Sequence, residues 1–69
     1  MARYLVVVER SKSNFSAYLP DVPGCVVTGK TRLEVLGRMR KAFAMHAAGL
    51  KEDGMTVPEA VSSADYVGI

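Results

Sequence analysis

The sequence contains one cysteine, Cys25, one histidine, His46, and no tryptophan. A lone thiol excludes a disulfide framework. One histidine and one cysteine cannot supply the ligand set of a zinc site. Long apolar runs are also missing: the aliphatic stretch after Arg3 and Tyr4 spans only Leu5 to Val8, too short for an export core or a membrane span. No membrane association is expected, and the cytoplasm is the default compartment. Aromatic residues make up only 7%, which leaves few platforms for stacking single-stranded bases.

What is present is a globular composition, with 49% hydrophobic and 23% charged residues. A length of 69 residues allows one small domain covering 1–69, and a chain of this size buries only about 60% of its unfolded surface. Small domains commonly rely on disulfides, metals or partners. With the first two excluded, self-association or a protein partner is the expected source of added stability.

The net charge of +2 is unevenly spread. Between residues 32 and 51, Arg32, Arg38, Arg40, Lys41 and Lys51 face only Glu34, a net +4. Residues 52–69 carry Glu52, Asp53, Glu59 and Asp65 with no cation, a net −4. A basic middle and an acidic tail can attract RNA, or each other across the fold.

Strand signals come first. Arg3 to Glu9 is short and β-branched without alternation, which predicts a central strand buried on both faces. The polar stretch Arg10 to Asn14 predicts a hairpin turn, since asparagine tolerates the left-handed region. Phe15 to Leu19 alternates, with Phe15, Ala17 and Leu19 on one face and Ser16 and Tyr18 on the other. Pro23-Gly24 fits the two central positions of a type II turn, and Cys25 to Thr28 is a third strand.

Thr31-Arg-Leu-Glu34 matches a capping box, opening a helix over about 32–48. Leu36, Met39, Phe43, Ala47 and Leu50 form its apolar stripe, widened by Leu33, Val35 and Ala42. Gly49 is the expected residue just past its end. Gly37, unfavourable inside a helix by about 1 kcal/mol, predicts a close approach to the sheet or to another chain. Lys51 to Gly54 reads as a loop, and Ala64 to Ile69 as a fourth strand with Tyr66 and Val67 packing. The α+β order β-β-β-α-β then predicts an antiparallel meander, one covering helix, and the last strand beside the first, in sheet order 3-2-1-4.

The run Asn14-Phe-Ser-Ala-Tyr-Leu-Pro-Asp-Val-Pro-Gly-Cys25, then Thr28-Gly-Lys-Thr31 and Ala47-Ala-Gly-Leu50, resembles the N-terminal domain of HicB-type antitoxins. Its most specific part is Tyr18, Pro20, Asp21, Pro23, Gly24 and Cys25. The resemblance implies a partly degenerate ribonuclease-H-like fold. It also implies a type II toxin–antitoxin role, binding and occluding HicA, a small messenger-RNA-cleaving toxin with a double-stranded-RNA-binding-like fold. Full HicB antitoxins usually add a C-terminal DNA-binding domain, and this sequence stops before one, so DNA binding is not expected. Antitoxins are often acidic, whereas this chain is net positive.

The expected partner-binding residues are Tyr18, Pro20, Asp21, Pro23, Arg38 and Lys41. Tyr18 lies opposite the covered face, where an exposed strand tyrosine suits an interface. Asp21 can meet a basic partner or bond its own turn. Arg38 and Lys41 share a helix face, either solvated or meeting phosphate. Cys25 is read as a buried small hydrophobe and His46 as a packing residue. Glu9 at a strand end and Glu52-Asp53 in a loop do not converge as a two-metal nuclease requires. No catalytic residue, metal or cofactor is assigned, and a homodimer or higher oligomer is expected. The competing expectation is a solitary RNA-binding or oligomeric accessory module using the basic helix.

Overall fold

The computed structural model describes residues 2–69. Three strands, β1 (Val7–Arg10), β2 (Phe15–Tyr18) and β3 (Val26–Gly29), form an antiparallel sheet in the order β1-β2-β3. One helix, α1 (Arg32–Glu52), follows and covers one face. The meander and covering helix agree with the α+β expectation.

Strand pairing explains the short β1. Val7 pairs with Tyr18 and Arg10 with Phe15, after which β2 gives way to Leu19 and Pro20, a residue without an N–H to donate. Residues 3–6 therefore run past the ladder. Residues 4–8 are all half-buried, but Tyr4, Val6 and Val8 pack on the core while Leu5 and Val7 lie on the other side of the chain. The unbroken apolar run thus serves two unequal faces at a sheet edge. β2, not the first strand, is central.

The expected fourth strand does not form. Residues 55–69 have no regular structure, and Tyr66 and Val67, expected to pack, are 99% and 90% exposed. The edges are therefore β1 and β3, not the third and fourth strands. β-propensity at 64–69 is local, whereas a strand needs a partner edge.

The turns are built from side chains and glycine. In the first, the Ser11 N–H donates to the Asn14 carbonyl at 2.9 Å and the Ser11 hydroxyl to Asn14 Oδ1 at 2.6 Å. Asn14 holds the hairpin through this side-chain bond and keeps a negative φ. In the second, Val22 donates to Leu19 O and Cys25 to Val22 O, with Gly24 at φ +87°, the sign a type II turn demands.

The helix starts as its capping residues dictate. Glu34 donates its N–H to Thr31 Oγ1 at 3.0 Å, and its carboxylate accepts from Lys30 N–H at 2.9 Å. The reciprocal bond thus reaches one residue beyond the N-cap itself. The other end lies later than Gly49 indicates. Met55 N–H bonds Leu50 O at 2.8 Å and Gly54 N–H bonds Lys51 O at 3.1 Å, with Gly54 at φ +73°. This paired closure about a left-handed glycine is a Schellman motif, so Gly54 ends the helix and Gly49 lies inside it.

Ala17, Leu19, Val22, Cys25, Val35 and Met39 form the buried core. The helix stripe is centred on Val35 and Met39 rather than Leu36, and Leu33 is 79% exposed. Cys25 Sγ donates to Met39 Sδ at 3.6 Å. Burial pushes the Cys25 thiol up, which leaves little nucleophilic thiolate.

Gly37 marks no close approach within the chain, since a Cβ there would meet nothing within 4 Å. Gly37→Ala is accordingly expected to stabilise the isolated chain by about 0.5–1 kcal/mol. A melting temperature several degrees higher checks this; a lower one contradicts it.

Candidate functional site

The face of the sheet turned away from α1 carries two cross-strand rows. Antiparallel register places Val7 opposite Tyr18 and Tyr18 opposite Val26. The next row on that face is Glu9, Ser16 and Thr28. The first row is apolar and aromatic, with Tyr18 38% and Val26 62% exposed. Adjoining it, Pro20 and Pro23 are exposed in the double turn between β2 and β3. This band joins three of the expected partner residues. Val7 and Val26 were not among those expectations. Their signal was the strand register, which puts them in line with Tyr18 once both pairings are fixed.

Asp21 sits in the same turn but is engaged elsewhere in the chain. Its Oδ2 accepts the backbone N–H groups of Val61 and Ser62 at 2.9 and 2.8 Å, and its Oδ1 accepts the Ser62 hydroxyl at 2.6 Å. Asp21 thereby fastens residues 61–62 to the β2–β3 turn, some 40 residues away in sequence. A second link lies nearby: the Tyr4 hydroxyl donates to the Pro58 carbonyl at 2.5 Å, while its ring meets Phe43 edge-on at 4.6 Å between centroids.

The Ser62 hydroxyl first, and then the two backbone donors, hold the Asp21 carboxyl below its ordinary 3.8. A carboxylate bonded in this way is favoured in its charged form. The clamp is therefore fully present above the ordinary carboxyl pKa and is lost as pH falls through the depressed value. Amide signals of Val61 and Ser62 are expected to be fixed at neutral pH and to shift together at acid pH, with a midpoint below the ordinary 3.8. In Asp21→Asn, both should show their released positions already at neutral pH. Unchanged signals in that variant would contradict the clamp.

Arg38 and Lys41 lie apart from the apolar band, on the exposed side of α1. The Arg38 guanidinium donates to Thr28 O at 2.7 Å and pairs with Glu34 Oε1 at 3.5 Å. It ties the helix to β3 beside a polar recess of about 570 Å³ lined by Ser13, Asn14, Lys30 and Glu34. The structure thus brings Tyr18, Pro20, Asp21 and Pro23 together at one end of the sheet and leaves Arg38 and Lys41 on the helix.

A second recess of about 490 Å³ lies between the 2–6 segment and α1, lined by Arg3, Tyr4, Val6, Leu36, Arg40 and Phe43. No helix among the described residues is long and apolar enough to cross a membrane. No group of three or more His, Cys, Asp or Glu residues converges among them.

An uncharacterised 14.9 kDa protein from the rep-hol intergenic region of Haemophilus phage HP1 is 28% identical over 64 residues, covering 93% of this chain and 48% of that protein. The chain thus spans about half the length of this curated relative. No solved structure matches. The family described as "HicB_like antitoxin of bacterial toxin-antitoxin system" matches residues 4–68. With nearly its whole length matched, the chain belongs to the HicB-like antitoxin family of bacterial toxin–antitoxin systems.

Proposed function

We propose that this chain binds and occludes a HicA-type toxin that cleaves messenger RNA, as part of a type II toxin–antitoxin pair. The observation that carries this reading is the row Val7–Tyr18–Val26, which crosses all three strands and leaves Tyr18 and Val26 exposed. A tyrosine set in an apolar row, with two exposed prolines beside it, is the composition expected at an interface centre. Family membership supplies the class of partner. The meander followed by a covering helix also suits the front part of a ribonuclease-H-like fold. The proposed role is occlusion without catalysis, and the proposed compartment is the cytoplasm, where a messenger-RNA toxin acts.

Co-purification and co-expression with the product of a neighbouring small basic reading frame test the reading. Tyr18→Ala should weaken the complex about thirtyfold, the loss typical of an interface anchor of about 2 kcal/mol. Absence of any complex, or no rescue of growth on co-expression, would sink the proposal. Full affinity in the double variant Tyr18→Ala, Val26→Asp would exclude this face of the sheet.

RNA binding through α1 is less well supported by the geometry, because Arg38 is committed to Thr28 and Glu34. Affinity that falls steeply with added salt would be its signature.

A further inference from the structure

We infer that residues 63–69 of one copy dock in the recess between the 2–6 segment and α1 of a second copy, forming a reciprocal dimer. Both halves of the contact lie in one chain. The receiving half is the recess lined by Arg3, Tyr4, Val6, Leu36, Arg40 and Phe43. It adjoins β1, whose outer edge has no strand partner among the described residues, and an open edge is commonly paired or covered. The donated half is the exposed segment holding Asp65, Tyr66 and Val67. Its apolar side chains match the apolar lining, and Asp65 matches Arg3 and Arg40 in charge.

The occupant is a second copy because the chain's own segment is held beside the recess without filling it. Tyr4 fixes Pro58 and Asp21 fixes residues 61–62, yet every residue from 61 to 69 is exposed and none of them lines the recess. Two copies related by a twofold axis can each receive the other's segment, which satisfies both edges in a closed assembly. This inference concerns the chain alone and does not rest on the toxin reading.

Sedimentation or light scattering on the isolated full chain tests it. The mass should rise with concentration toward twice 7.4 kDa. The double variant Tyr66→Ser, Val67→Ser should raise the dimer dissociation constant at least about tenfold. Both side chains are exposed, so the variant's helical circular dichroism should match the parent. A constant monomer mass at high micromolar concentration overturns the proposal, as does an unchanged dimer in the double variant. Location is tested by mixing Tyr66→Cys and Leu36→Cys chains of different tag length and oxidising them. A disulfide-linked heterodimer is expected. Its absence overturns the proposed contact. A monomeric crosslink within one chain carrying both substitutions, at every concentration, also overturns it and places the segment in its own recess.

Discussion

Met39→Ala is expected to remove a large share of the protein's folding stability at room temperature. Met39 is 2% exposed and packs among Ala17, Leu19, Val22, Cys25 and Val35. Truncating a buried methionine to alanine costs about 2–5 kcal/mol, because lost contacts and a residual cavity add. At about 0.05–0.15 kcal/mol per residue, a domain of this length has only about 3–10 kcal/mol in total. The substitution also removes the sulfur that accepts the Cys25 thiol proton. Urea titration followed by circular dichroism measures the loss. Met39→Leu, close in volume, should lose less than about 1.5 kcal/mol. Equal midpoints for the alanine variant and the parent would contradict the packing described above.

Gly29→Ala should destabilise, by about 1–3 kcal/mol, although Gly37→Ala is expected to stabilise. A Cβ at Gly29 would lie 2.8 Å from Glu34 Oε1 and 3.0 Å from Val35 Cγ2. Glu34 can swing aside, but doing so gives up its bond to Lys30 N–H and its pairing with Arg38. Val35 is fully buried and, being β-branched, has little rotamer freedom in a helix. The two alanine variants therefore separate a glycine required by a close approach from one that is merely unfavourable in a helix. Thermal melting of both shows the contrast, and a shift in the same direction for both would refute it.

The same two glycines show what can be read from sequence. The helix-propensity cost of Gly37 predicts a close approach to the sheet or to another chain, and no described residue of this chain makes one, because what approaches a helix depends on the folded surroundings. Gly29 reads as a strand breaker, while its actual constraint comes from Glu34 and Val35 in the next element. Features made by adjacent residues were legible: the Pro23-Gly24 turn, the Thr31 cap, the alternation of β2 and the covering helix. The helix end was harder: Gly49 is a credible stop, and Gly54, which closes the helix, reads as part of the following loop. The decision rests on Met55 reaching back to Leu50 O.

Pairing across the chain was less visible still. Ala64 to Ile69 has strand-like residues, but those residues do not specify an edge, and Tyr66 remains exposed. Tyr18 could be placed on the outer face from alternation alone. Its neighbours Val7 and Val26 needed two registers to be fixed together. Asp21 reads as meeting a basic partner or bonding its own turn, whereas its hydrogen-bond partners lie at 61–62.

That clamp has a consequence for the order in which the chain assembles. The meander and helix are joined by short connections, so their loop-closure entropy is small and they belong to the fast, local class of folding events. The Asp21–Ser62 and Tyr4–Pro58 bonds span 41 and 54 residues and are expected to close after the sheet and helix beside Asp21 and Tyr4 have formed. The tail is accordingly expected to be the last part to dock and the first to leave. Its detachment exposes Val61 and Ser62 amides to hydrogen exchange while β2 and α1 remain protected, a local opening rather than global unfolding.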